Sequence, residues 1–359
     1  AQPARPAEPA AALPELAVTV VMTDLDHPWD VVAAPDGAVL TGERAGRFVV
    51  ARSDGSVGEV AADLSDLYAE GETGLMGMAL DRDFTDTRTI YTCQGHRGGE
   101  GNDIRVVSWT VDPEWTTMVR TGDVVTGMPV GAKGRHGGCR ILAHPDGTLY
   151  VGTGDSAQPT VPQDRNSLGG KVLHVNRDGS PAAGNPDPNS PVFTLGHRNV
   201  QGLALEPTTG RIYDIEQGTS RDDEVNLLVA GNNYGYRPDR RPGVYDESVP
   251  MTDPERVPGA VEAVWSSGAP TIATPGGAFV SGARWREWDG ALVVTSQQGE
   301  ELVVLKMSDD GTTVTDMSSA LSGSHGRLRT ATAMPDGSLL ITTDNGSRDQ
   351  VLRVAPSAD

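Results

Sequence analysis

One stretch, residues 134–155, GRHGGCRILAHPDGTLYVGTGD, places an imidazole and a carboxylate at the open end of a predicted hairpin. An apolar run with Cys139, Ile141 and Leu142 leads into the turn His144-Pro145-Asp146-Gly147. A second run, Leu149, Tyr150 and Val151, leads away. Asp-Gly between two apolar runs is a strong hairpin signal, because glycine accepts the positive φ that the turn demands. Pairing the strands outward from that turn sets His136 almost opposite Asp155. An imidazole hydrogen-bonded by a carboxylate suits a general base and the group that orients it.

Other residues could serve the same chemistry. Glu72 precedes the apolar run 75–80 in the register of His136, and Arg198-Asn199 precede the run that begins at Val200. Arg327 and Arg329, two apart on a predicted strand, point to one face and repel unless an anion lies between them. Two such guanidiniums suit a di- or tricarboxylate, which arginine grips bidentately; the bland alternative is pairing with Asp344 or Asp349. The segment 216–224, EQGTSRDDE, offers carboxylates and glycine-bearing backbone of the kind a hard cation such as Ca²⁺ takes, though not at EF-hand spacing.

The hairpin grammar of the 134–155 stretch recurs from His27, Thr73, Arg198, Pro275 and Gly326, so six units of apolar strand, turn and strand fill the chain. Repeats of a few dozen residues, each a small antiparallel sheet, predict an all-β fold, a six-bladed β-propeller. The innermost strands of a propeller begin at one face around the channel. Glu72, His136, Arg198-Asn199 and Arg327/Arg329 all lie at or near such entries, so four repeats send polar groups to one ring. The aperiodic, proline-rich stretch 232–265 reads as a long excursion from the fourth unit that walls a cleft.

Composition narrows the partners. A formal net charge of −20 over 359 residues argues against nucleic-acid or anionic-membrane binding and leaves a small molecule as partner. Residues 1–16, Ala/Pro-rich without apolar period, read as a disordered spacer ahead of a propeller domain spanning 17–359. No stretch is long and apolar enough to be a transmembrane helix, and such a spacer suits a secreted or cell-envelope protein that has lost its leader. Cys93 and Cys139 fall in adjacent units; they form either a disulfide or two buried thiols.

With these motifs in place, the chain resembles the soluble pyrroloquinoline quinone (PQQ)-dependent aldose dehydrogenases, the glucose/sorbosone dehydrogenase family. HPWDVVAAPDG, GETGLMGMALDRDF, GHRNVQGLALEPTTGRIY, DDEVNLLVAGNNYGY and GRLRTATAMPDG carry the resemblance, with the 134–155 stretch itself. It implies a six-bladed propeller that oxidises the C1 hydroxyl of an aldose to a lactone and passes electrons to an acceptor. His136 would be the base and Asp155 its orienting partner. Arg198 and Asn199 would bind the quinone oxygens, Arg327 and Arg329 the cofactor carboxylates, and the carbonyls of Gly218 and Thr219 a Ca²⁺ ion. Three positions depart from the family pattern: Glu72 for Gln, Gln298 for a cofactor-contacting Lys, and Thr219 for Pro. Lys133 and Arg135 are nearby cations that could replace the missing Lys. The departures at Glu72 and Gln298 motivate a different reading, a non-catalytic propeller that binds a glycan or protein. A Ca²⁺-dependent lactonase is a further alternative, but it has no use for Arg327 and Arg329.

Overall fold

The computed structural model describes residues 12–358. Six four-stranded antiparallel sheets form a six-bladed β-propeller. Their innermost strands are Pro28–Ala33, Leu75–Leu80, Arg140–Ala143, Val200–Leu205, Gly277–Phe279 and Leu328–Ala333. Each touches the next, and the sixth touches the first, so the ring closes. The closing blade takes its outer strand from the other end of the chain. Leu16–Leu25 pairs antiparallel with Asp349–Pro356, from Leu16 opposite Pro356 onward. Of the expected spacer, residues 1–11 lie outside the described residues, and the strand already begins at Leu16.

Position in the blade explains the sequence pattern. The inner strands are packed on both faces, so Leu75–Leu80 reads LMGMAL with only its last residue partly exposed. The outer strand Met118–Met128 meets solvent and alternates. Close approach of neighbouring inner strands requires glycine at position 77, where a Cβ would lie 2.5 Å from the Cys139 carbonyl oxygen. The Asp-Gly turns form as read: Gly37, Gly147 and Gly337 have φ of 92°, 92° and 88°. In each turn the preceding aspartate accepts a hydrogen bond from the amide two residues on, at 3.0 Å (Asp36), 2.9 Å (Asp146) and 2.9 Å (Asp336).

Apolar side chains fill the spaces between blades, while a buried ion pair ties the inner strands at the axis. Arg140 Nη1 lies 2.9 Å from Asp30 Oδ1. Asp30 also accepts the amide of Met78 at 2.8 Å. Arg140 donates to the Gln201 carbonyl at 2.6 Å, the Pro275 carbonyl at 3.1 Å and Thr330 Oγ1 at 3.0 Å. One carboxylate and one guanidinium thus touch every blade, through the inner strand or, for the fifth, the residue leading into it. Cys93 and Cys139 form a disulfide with Cα atoms 6.1 Å apart, stapling the second blade to the start of the third. That settles the alternative left open by the sequence.

Candidate active site at the channel mouth

The third-blade hairpin delivers the dyad. Its register, Arg140 opposite Gly152 through Ala143 opposite Leu149, continues past the ladder, and the Ser156 amide donates to the His136 carbonyl at 3.1 Å. His136 Nδ1 lies 2.8 Å from Asp155 Oδ1, with the imidazole 4% and the carboxylate 0% exposed. The chain is tightly shaped here. His136 has φ of +48°, a left-handed conformation unusual outside glycine. Opposite it, a Cβ on Gly154 would sit 1.8 Å from the His136 carbonyl oxygen, so only glycine fits. Glu72 Oε2 accepts the His136 amide at 2.9 Å and fastens that backbone.

Both oxygens of the Asp155 carboxylate are engaged. Oδ1 also accepts the Ala157 amide at 2.9 Å, and Oδ2 accepts the Tyr245 hydroxyl at 2.6 Å. An ionised carboxylate only accepts, so His136 carries its proton on Nδ1 and presents Nε2 as the basic nitrogen. Nε2 has no hydrogen-bond partner among the described residues.

Arg198 and Asn199 stand beside the dyad. The Asp155 amide donates to the Arg198 carbonyl at 2.8 Å, and Asn199 Oδ1 accepts the Gly138 amide at 2.9 Å. Arg198 donates to the Gln217 carbonyl at 3.3 Å and to Glu247 Oε2 at 3.2 Å, while Arg135 reaches Glu247 Oε1 at 3.0 Å. Burial opposes the charge of Arg198, but Tyr245, Tyr236, Glu247 and Asp155 overcome it and hold the guanidinium pKa above its ordinary value. Two donors at this spot, Arg198 Nε and Asn199 Nδ2, are buried with no hydrogen-bond partner among the described residues. Buried donors are nearly always satisfied, so a pair of orphans marks a place for acceptors.

Next to this group a cavity of about 310 Å³ opens at the end of the channel where the inner strands begin. Glu72 and Gln217 line it and link it to His136 and Arg198. Arg44, Arg327 and Arg329 bring three guanidiniums to its wall, with His27 and Asp344. Arg329 is matched, donating to Asp344 Oδ2 at 3.0 Å and lying over the Trp29 ring. The side chains of Arg44 and Arg327 have no hydrogen-bond or ion-pair partner among the described residues, although the charge of Arg44 also acts on Asp344. Asp344 feels burial, which raises its pKa, but Arg329 and His27 outweigh it and keep the carboxylate ionised. Even so, unmatched positive charge gathers here on a protein of net charge −20.

The predicted residues divide. Glu72, Arg327 and Arg329 line the cavity, and His136, Asp155, Arg198 and Asn199 adjoin it. Gln298 does not: it is exposed and accepts a hydrogen bond from Thr271 at 3.0 Å, while its neighbour Gln297 turns inward, donates to Asp344 and lines the wall. Lys133, which is exposed, and Arg135, which is held by Glu247, do not line the cavity. Arg44 does, and its type gave no signal in the sequence. Gly218 and Thr219 follow Gln217 on the loop after Ile212–Glu216. The Gly218 amide donates to Asp223 Oδ1 at 3.0 Å, and neither carbonyl accepts a hydrogen bond among the described residues. Tyr245 and Glu247 were also missed, because they arrive on the aperiodic excursion.

The strand entries of this propeller thus set an imidazole–carboxylate dyad beside a cationic cavity, and comparison with known proteins identifies the family. A family model described as Glucose / Sorbosone dehydrogenase matches residues 25–353. Aldose sugar dehydrogenase YliI of Escherichia coli is 28% identical over 352 residues, covering 94% of this chain and 92% of that protein. Quinoprotein glucose dehydrogenase B of Acinetobacter calcoaceticus is 30% identical over 248 residues, 60% of this chain and 51% of that one. The PQQ-bound aldose sugar dehydrogenase of Streptomyces coelicolor superposes with a TM-score of 0.78 at 30% identity, over 96% of this chain and 100% of that chain. The chain belongs to the glucose/sorbosone dehydrogenase family, and its relatives mark it as a sugar oxidoreductase.

Proposed function

We propose that this protein is a PQQ-dependent aldose dehydrogenase that oxidises the C1 hydroxyl of a sugar to the lactone. The observation that carries the reading is the junction of a base with a free Nε2 and a cavity holding unmatched guanidiniums. The residues fit the cofactor by their chemistry. Orphaned donors on Arg198 and Asn199 suit quinone oxygens, and Arg44, Arg327 and Arg329 suit a tricarboxylate. The unused carbonyls of Gly218 and Thr219 are the oxygen ligands a Ca²⁺ ion accepts. When bound, the quinone supplies the two-electron acceptor.

The protein's own part is proton handling and orientation. His136 Nε2 takes the hydroxyl proton of the sugar, and Asp155 stabilises the imidazolium that results. Glu72 fixes the height of the imidazole by holding its backbone. Arg198 and Asn199 offer donors in a buried, low-dielectric setting, where preorganised hydrogen bonds are strong. Exported localisation is supported by the buried disulfide, which persists in oxidising compartments. No helix of the described residues is long and apolar enough to cross a membrane. The partners are then a small sugar and an external electron acceptor.

The test is reconstitution. Protein loaded with Ca²⁺ and PQQ should reduce a dye when given members of an aldose panel. Saturable cofactor binding without turnover on any sugar would overturn the assignment and favour a binding role.

A further inference from the structure

Between its third strand, Glu224–Leu227, and its short outer strand, Trp265–Ser266, the fourth blade sends out a long excursion that returns to the base. Tyr245 lies on it. Its hydroxyl donates to Asp155 Oδ2 at 2.6 Å, and its ring meets the His136 ring edge-on with centroids 5.8 Å apart. Tyr236, from the same excursion and fully buried, places its hydroxyl 2.8 Å from that of Tyr245.

We propose that Tyr245 is a positioning residue for the His136 base, acting through Asp155, so that the excursion from the fourth blade sets the orientation and basicity of a dyad carried by the third. This rests on the base assignment made above. The hydrogen inventory gives the chain of bonds a direction. Tyr245 has one proton, and a carboxylate can only accept it. Tyr236 must therefore donate to Tyr245, and Tyr245 to Asp155. Burial, then the charge of Asp155, hold the Tyr245 pKa above its ordinary value, so the donor is not lost by ionisation. Asp155 is left with a single orientation, Oδ2 on Tyr245 and Oδ1 shared by His136 and the Ala157 amide.

Removing the phenol hydroxyl has a defined electrostatic consequence. A carboxylate that loses a donor has more of its charge directed at its remaining partners, and an imidazolium beside it is better stabilised. The other charged groups around the dyad stay in place: Glu72 at the His136 amide, Arg198 with Glu247 and Arg135 on the outer side, and Lys171 toward Asp155. Tyr245→Phe should therefore raise the pKa of His136, by roughly half a unit to one unit, and leave cofactor affinity unchanged.

The experiment is a histidine ¹⁵N NMR titration of the full chain without cofactor or sugar, comparing wild type, Tyr245→Phe and Tyr236→Phe. The expected result is an alkaline shift of His136 in Tyr245→Phe and a smaller shift of the same sign in Tyr236→Phe. In loaded protein, the acidic limb of the turnover profile should move by the same amount, with PQQ affinity intact. A His136 titration that is the same in Tyr245→Phe as in wild type overturns the proposal. Should Tyr245→Phe fail to fold, an unshifted His136 in Tyr236→Phe does so instead. Because the titration contains neither PQQ nor sugar, its outcome is separate from whether the protein is a quinoprotein.

Discussion

Two buried imidazoles in this molecule face carboxylates, and their surroundings give them opposite uses. His136, at the channel mouth, spends one nitrogen on Asp155 and keeps the other free. His197, inside the fourth blade, spends both: Nδ1 lies between Asp214, at 2.9 Å, and Glu216, while Nε2 meets Thr194 Oγ1 at 2.8 Å. Its ring stacks on Tyr234 with centroids 4.9 Å apart. Burial opposes its charge, but Glu216 and Asp214 overcome that and push its pKa up to about 10. At neutral pH it is a caged cation with no proton to take. The arginines divide in the same way. Arg140 is saturated at the axis, whereas Arg44 and Arg327 wait unmatched at the cavity wall. Residue type does not distinguish the members of either pair. What distinguishes them is how many of their hydrogen-bonding positions the fold has already used.

The largest effect should come from the free imidazole. His136→Ala should lower turnover of the reconstituted protein by about 10²–10⁴-fold, the range for a positioned general base. PQQ affinity should stay near wild type, because the proposed function gives cofactor binding to other residues. Steady-state kinetics beside a cofactor titration checks both halves. Turnover that survives His136→Ala removes the base assignment.

His197→Ala should show the reverse profile. Deleting one partner of a buried charge cluster costs about 3–5 kcal/mol, because Asp214 and Glu216 are left facing each other without a counter-charge. Denaturant unfolding measures this loss. If His197→Ala is as stable as wild type, then saturation of hydrogen bonds is not what separates a structural imidazole from a catalytic one here.

Among the cations the effect is smaller. Arg327→Ala and Arg44→Ala each remove a charge-assisted contact worth about 1.5–3 kcal/mol, roughly a ten- to hundredfold loss in PQQ affinity. Excess PQQ should restore much of the activity, and folding stability should change little. Gln298→Ala, by contrast, should leave affinity unchanged, since that side chain points away from the cavity.

This contrast also shows what the sequence could and could not tell. The Asp-Gly turns and the recurring strand pairs made the blades legible, because turn chemistry and strand period are local. The dyad was legible for the same reason, since one hairpin carries both members. Arg327 and Arg329 were found through the period of two along a strand. Gln298 came from the family resemblance and not from a local pattern, and beyond the strand Leu292–Thr295 no period tells which of Gln297 and Gln298 turns toward the cavity. Arg44 sits just past a strand end, and Tyr245 and Glu247 lie in a segment with no period at all. Nor does pattern reveal the closing strand Leu16–Leu25, whose partner lies more than three hundred residues away in sequence.

The last prediction tests the caged cluster through pH. Glu224 lies beside it, its carboxylate hydrogen-bonded by Asn226 at 3.4 Å and by Thr252 at 3.2 Å. Burial first, then the charge of Glu216, raises its pKa from 4.5 to about 8. A carboxyl group with a raised pKa binds its proton more tightly in the folded chain than in the unfolded one. Stability therefore falls as pH rises from about 4.5 toward about 8, with a slope of at most about 1.4 kcal/mol per pH unit for this one proton. The imidazolium of His197 has the same sign in a later window, losing its contribution as pH rises from 6.5 through about 10. Glu224→Gln keeps the shape of the side chain and removes its titration. Denaturant midpoints at pH 5, 6, 7 and 8 should fall less steeply in the variant than in wild type, with the two drawing together at the acid end. Above pH 8 both should decline alike, since His197 is intact in each. Parallel curves across the whole range would mean that Glu224 ionises in the folded chain at its ordinary pKa, and that the cage around His197 is wetter than its burial implies.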